Sequence, residues 1–173
     1  MNLKTLISKD ELEARIKELA DQIAEDYKNQ EVVLVCVLRG AAYFAVDLSK
    51  LINSSSLLME FMQVSSYHKE KETTGEIEIV KDLDLDIKGK NVLIVEDIID
   101  SGLTMDCLIK KLKERSPKSI KVCSLLSKPD RRLVDVDIDY LGFEIPNKFV
   151  LGYGLDYDEY YRNLPFIAYV EEK

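Results

Sequence analysis

Two short runs constrain the fold more than anything else in the chain: VVLVCV at 32–37 and VLIV at 92–95. Each is apolar and rich in β-branched side chains, with no polar position to turn toward water, which is the pattern of a strand covered on both faces. The first breaks at Arg39-Gly40 and is followed by a helical stretch from Ala41 to about Ile52. The second runs through EDIIDSG into a helix from Thr104 to Arg115, whose Met105, Leu108, Ile109 and Leu112 share one face. Recurrence of strand, short loop and helix predicts an α/β sheet rather than a helical bundle.

The remaining segments fill in that frame. Ser8 to Glu11 has the form of a capping box, and Leu12, Ile16, Leu19, Ile23 and Tyr27 follow at helical spacing. Further strands are expected at 57–65, 77–80, 120–126 and 138–145, with short late strands at Phe149-Val150 and 165–170, while Pro117 limits the helix before it. SSYHKEKETTGE at 65–76 has little apolar anchoring and reads as a mobile loop. At 173 residues and 46% hydrophobic content, the chain suits one domain with one substantial core.

Charge and cysteine usage exclude several roles. With 24 basic and 32 acidic side chains the formal charge is −8, so neither a nucleic-acid backbone nor an anionic membrane is attracted in general. Any anionic substrate must be held by local donors or a bound cation. Cys36, Cys107 and Cys123 are odd in number, widely spaced and set among apolar residues, as expected of reduced thiols rather than a disulfide or zinc site. The N-terminal residues lack the pattern of a secretory signal, no stretch is long and apolar enough to span a bilayer, and a cytoplasmic location is expected.

Chemistry concentrates after the second buried strand, in VLIVEDIIDSGLTM at 92–105. Loops at the carboxyl ends of parallel strands are the usual ligand side of such a sheet. Asp100-Ser101-Gly102-Leu103-Thr104 can bend into a helix start where Gly allows close approach, first-turn N–H groups lack partners and two hydroxyls add donors. Such a cup suits a phosphate, and an ordinary strand-to-helix turn is the plainer alternative. Glu96 and Asp97 point to opposite sides if strand alternation continues; sugar hydroxyls, Mg²⁺ with its waters, or simple solvation at a strand end all suit them. There is no GxxxxGK[ST] and no GxGxxG after the first strand, the GYG at 152–154 is a weak signal, and the single histidine, His68, excludes a multi-histidine metal site.

That stretch strongly resembles the phosphoribosyl-diphosphate signature of type I phosphoribosyltransferases. Over most of the chain from the first strand onward, LRG at 38–40, SSY at 65–67, LLSK at 125–128 and GFEIPNKFVLGYGLDYDEYYRN at 142–163 resemble, in the same order, the branch of the family that acts on hypoxanthine and guanine. The resemblance implies a type I core with a mostly parallel twisted sheet flanked by helices, approximately residues 30–140. A small hood comes from approximately 1–10 and 141–173. It also implies Mg²⁺-dependent transfer of a 5-phosphoribosyl group from phosphoribosyl diphosphate to purine N9, forming IMP or GMP and diphosphate, in a homodimer or homotetramer.

By the same resemblance, Asp100 is the catalytic residue beside purine N7. Glu96 and Asp97 lie near the ribose hydroxyls and metal, and Asp156 lies near the purine and a second metal. Ser101, Gly102, Leu103 and Thr104 hold the 5′-phosphate; Ser101 stands where Thr is common, which keeps the hydroxyl. Leu38, Arg39 and Gly40 form the diphosphate loop, in which a non-proline cis peptide between the first two residues is usual, with Arg39 where Lys is frequent. Lys128 faces the purine 6-oxo group, Phe149 stacks on the ring and Val150 reads the base edge through its backbone. Arg162 binds diphosphate, and Ser66 and Tyr67 belong to a loop closing over the reactants.

Taken singly, Lys128 reads as a solvent-facing turn lysine, Phe149 as a core aromatic and Arg162 as half of a surface ion pair. A related transferase with another base specificity and a noncatalytic nucleotide sensor are the alternative functions.

Overall fold

The computed structural model describes residues 1–69 and 72–171, and side chains outside 67–75. In chain order the elements are β1 (Leu3–Ile7), α1 (Lys9–Asp26), β2 (Val32–Leu38), α2 (Ala42–Leu51), β3 (Leu57–Lys69) and β4 (Glu72–Lys81). There follow β5 (Asn91–Ile99), α3 (Leu103–Lys113), β6 (Ser119–Ser127), a 3-10 turn at Pro129–Arg131, β7 (Tyr140–Glu144), β8 (Val150–Leu151) and β9 (Ile167–Val170).

Helix α1 starts where the capping box predicts: Ser8 Oγ accepts from Glu11 N at 3.2 Å, and the Glu11 carboxylate accepts from Ser8 N at 2.7 Å. Strands β4-β3-β2-β5-β6-β7 form one sheet, parallel throughout except for the edge strand β4. A second, antiparallel sheet of β1-β9-β8 is drawn from the two ends of the chain. The period-two alternation of the buried strands separates two cores. Leu34, Cys36, Leu93 and Val95 pack with α1 and α2, whereas Val33, Val35, Val37, Val92 and Ile94 pack with α3.

Three expectations are corrected. The polar stretch at 65–76 is largely strand: β3 reaches Lys69 and β4 begins at Glu72, with pairs Ser65↔Glu78 and Ser66↔Ile77. Antiparallel pairing satisfies backbone donors and acceptors whatever the side chains are, so low apolar content did not prevent a hairpin. The side chains of Tyr67 and His68 lie outside the described residues. Strand β1 was not expected, because of its five residues only Ile7 is buried and its partner β9 is distant in sequence. Strand β5 continues past Val95 through Glu96 and Asp97 to Ile99, paired with β6 as far as Ser127.

Helix α3 covers the face of the sheet beside the acidic loop through Met105, Leu108 and Leu112. Leu108→Ala is expected to cost about 2–5 kcal/mol in urea-unfolding free energy. A loss below about 1 kcal/mol would show that this contact carries little.

Candidate active site

The site begins with strand order. From β2 the chain crosses to β3 on one side and later returns to β5 on the other, so the loops leaving β2 and β5 diverge and open a crevice between them. Leu38-Arg39-Gly40 leaves β2 with a cis peptide between Leu38 and Arg39, the feature the resemblance implies. Gly40 lies against β5: a Cβ at that position would come within 1.7 Å of Asp97 Oδ2, so a side chain there would have to displace the Asp97 carboxylate. The Gly40 carbonyl in turn meets Gly154, which has φ +97 and whose added Cβ would be 2.2 Å from that oxygen. Three segments far apart in sequence are thereby locked together.

Ser101 and Gly102 turn β5 into α3. Gly102 is left-handed, with φ +86, and caps the helix without a side-chain hydrogen bond. The Ser101 carbonyl accepts from Leu133 N (2.8 Å) and Val134 N (3.2 Å), and Ser101 Oγ accepts from Leu103 N (3.3 Å). Thr104 Oγ1 lies 2.9 Å from Ser66 Oγ, which brings the β3 hydroxyl to the helix start. A cavity of about 180 Å³ is bounded by the 96–102 segment with Thr104 and Met105. An adjoining cavity of about 370 Å³ shares Glu96, Asp97 and Thr104 and adds Leu38, Arg39, Gly40, Gln63, Asp156, Glu159 and Arg162. The larger apolar groove between α1 and α2, about 520 Å³, has none of these groups.

Charge in this crevice is dense. Glu96 Oε1 accepts from Asp97 N (3.0 Å) and Asp97 Oδ1 from Ile98 N (2.6 Å). Burial pushes the Glu96 carboxyl well up, and the neighbouring Asp97 charge pushes it further. Asp97 is also raised by burial, against its hydrogen bonds and the Arg162 charge. Arg162 donates to the Gly154 carbonyl at 2.7 Å and lies 3.2 Å from Asp156. Glu159 spans Arg39 (2.7 Å) and Arg162 (3.5 Å). Arg162, the less exposed of the two arginines, thus pairs with two acids, while Arg39 and Glu159 form an exposed ion pair. Among the described residues no three His, Cys, Asp or Glu side chains converge into a ready-made metal centre.

Of the residues that the resemblance assigns to the base, Lys128 follows β6, and Phe149 and Val150 lie at the start of β8. Lys128 is buried rather than solvent-facing, and desolvation lowers its pKa, opposed by Asp100. Its N–H donates to the Ile99 carbonyl (3.0 Å), which ties β6 to the acidic loop. Phe149 is 55% exposed, not core, and meets Tyr157 edge-on at 5.5 Å; Val150 is buried in β8. Phe149 lines another cavity, of about 530 Å³, with Lys148 and Tyr169. Sequence reading passed over Arg131, Arg132 and Glu159. The charged turn at 130–132 was the available signal, but two adjacent arginines in a loop do not reveal their partners.

Fold and crevice define an α/β protein with a cavity lined by carboxylates and arginines at the reversal of strand order. The phosphoribosyl transferase domain family model matches residues 4–158, and the chain belongs to that family. A hypoxanthine-guanine phosphoribosyltransferase of Mycobacterium avium is 47% identical over 174 residues, covering 97% of this chain and 85% of the relative. Another from Bacillus subtilis (strain 168) is 47% identical over 165 residues, covering 95% and 91%. A crystal structure of a Bacillus anthracis hypoxanthine-guanine phosphoribosyltransferase superposes with TM-score 0.93 at 48% identity, covering 97% of this chain and 98% of that one.

A raised carboxyl pKa is also a stability statement. The Glu96 contribution is present below the ordinary value of 4.5 and is lost as pH rises through the higher folded value. In metal-free protein, Glu96→Gln is expected to melt above the parent at pH 7 and to lose that advantage as pH falls below 4.5. A variant melting below the parent at pH 7 would contradict the burial penalty.

Proposed function

We propose that this chain transfers the 5-phosphoribosyl group of phosphoribosyl diphosphate to N9 of hypoxanthine or guanine, releasing diphosphate and forming IMP or GMP in purine salvage. The observation that carries the reading is the meeting of Leu38-Arg39-Gly40 with Asp97 beside the Ser101–Thr104 turn. A diphosphate site and a phosphate site then flank one carboxylate-lined space. Close similarity to enzymes named for this activity supports it.

The phosphate end is built from backbone. N–H groups of the first turn of α3, with the Ser101 and Thr104 hydroxyls, receive the 5′-phosphate, and Leu103 takes part through its main chain. Arg39 and Arg162, with backbone at Leu38–Gly40, receive diphosphate. Glu96 and Asp97 accept from the ribose hydroxyls. These two carboxylates, with Asp156, offer the oxygen donors that Mg²⁺ prefers, and the upward pKa shifts of the pair mark a place where a cation relieves repulsion. When bound, Mg²⁺ neutralises charge on the diphosphate.

As the C1′–oxygen bond to diphosphate breaks, N9 forms the new bond to C1′ and the purine becomes acidic. Asp100 accepts the N7 proton, and its position sets how well it does so. Lys128 donates to the 6-oxo oxygen, where adenine would present a second donor. Phe149 covers the ring, Val150 meets its edge through the backbone, and Ser66 and Tyr67 on the β3–β4 hairpin close over the centre to exclude water. The small sheet of β1, β8 and β9 acts as the hood. We place the enzyme in the cytoplasm as a homodimer or homotetramer. Its free cysteines accord with a reducing compartment.

Incubation with phosphoribosyl diphosphate, Mg²⁺ and each purine is the test. IMP from hypoxanthine and GMP from guanine are expected, with little or no product from adenine and loss of turnover on chelation. Asp100→Asn should lower kcat by about 10²–10⁴-fold with a smaller effect on KM. No nucleotide from either 6-oxopurine would overturn the assignment.

A further inference from the structure

Beyond β6 the chain lays two consecutive arginines against the acidic loop, and they grip different parts of it. Arg132 holds backbone: Nε donates to the Asp100 carbonyl (3.1 Å), and Nη2 to Ser127 Oγ (2.6 Å) and the Ile99 carbonyl (3.4 Å). Arg131 holds the side chain, its Nε donating to Asp100 Oδ1 at 2.9 Å. Among the described residues, Asp100 Oδ2 has no hydrogen-bond partner.

This single grip differs from the pair that Arg115 makes with Asp82 away from the crevice, where both carboxylate oxygens are taken at 2.7 and 2.8 Å. A two-point grip would occupy the whole carboxylate. A one-point grip at Oδ1 restricts rotation and leaves Oδ2 open. Arg131 and Asp100 are both substantially exposed, so the contact adds little to folding stability and a role in fold maintenance does not account for it. Lys128 and Arg132, the other cations near Asp100, donate no hydrogen bond to its carboxylate among the described residues.

We propose that Arg131 is a positioning residue for phosphoribosyl transfer, fixing Asp100 through Oδ1 so that Oδ2 is presented to purine N7. The inference rests on the role given to Asp100 above. Arg131 touches neither reactant. It acts by keeping the acceptor oxygen in a narrow range of directions, and misplacement of about 1 Å is enough to cost a large factor in rate.

A double-mutant cycle separates this from a general structural role. In wild type, Arg131→Gln is expected to lower kcat for hypoxanthine about 5–30-fold, to change the KM for phosphoribosyl diphosphate less than about 2-fold and to leave the melting midpoint unchanged. In an Asp100→Asn background the same change should cost less than about 2-fold, because there is no longer an acceptor carboxylate to position. Arg131→Lys, which keeps the charge but not the planar donor, should fall between the two. If Arg131→Gln does not fold, Arg131→Lys in both backgrounds decides the question. Equal losses in both backgrounds, an unchanged kcat, or a loss confined to KM would overturn the proposal while wild-type IMP formation stood. Absence of product from wild type would instead overturn the assigned reaction and this inference with it.

Discussion

The parallel pairing of β2 with β5, at the point where strand order reverses, is the constraint on which the rest depends. Val32↔Asn91 through Cys36↔Val95 set the register that ends β2 at Leu38 and carries β5 on to Glu96 and Asp97. Because the crossovers from these strands run to opposite sides, nothing in the chain path covers the gap between their ends. What closes it is the absence of two side chains, at Gly40 against Asp97 and at Gly154 against Gly40. Segments separated by more than a hundred residues thus become one surface.

The same constraint explains the electrostatics. A chain of net charge −8 gathers a few cations at one crevice rather than on a basic face, which suits the multiply anionic substrate proposed for it. Arg39, Arg162, Lys128, Arg131 and Arg132 come from three different loops, each facing an acid or a carbonyl already there. Glu96 and Asp97 remain partly accessible yet desolvated enough to raise both pKa values, a cost to stability of the kind that clusters at functional sites.

How far the sequence reveals this depends on whether the cause is local. The unbroken apolar runs of β2 and β5, the Ser8 capping box and the face shared by Met105, Leu108 and Leu112 are local patterns, and they appear where expected. The Ser101–Thr104 turn into α3 was legible for the same reason. Strand β1 and the β3–β4 hairpin were not, since pairing with a remote or polar partner leaves no period to read. Nor did Lys128 show that it is buried, or Glu159 that it spans two arginines. Those facts come from register and loop path.

The two ends of the crevice are made of different material, and this bears on how such a site can change. Around the loops proposed for phosphate and diphosphate the structure is set by backbone, with left-handed glycines at 102 and 154 and a helix start at Leu103. Substitution of side chains there, such as Ser101 for Thr or Arg39 for Lys, leaves the donors in place. Asp100, Lys128 and Phe149, the side chains proposed for the base, follow β5, β6 and β7. On that proposal, specificity for the base can drift by ordinary substitution while backbone donors at the phosphoribosyl end persist. The turn at 129–132 lies where these two regimes meet, because its arginines hold both the backbone and the carboxylate of Asp100.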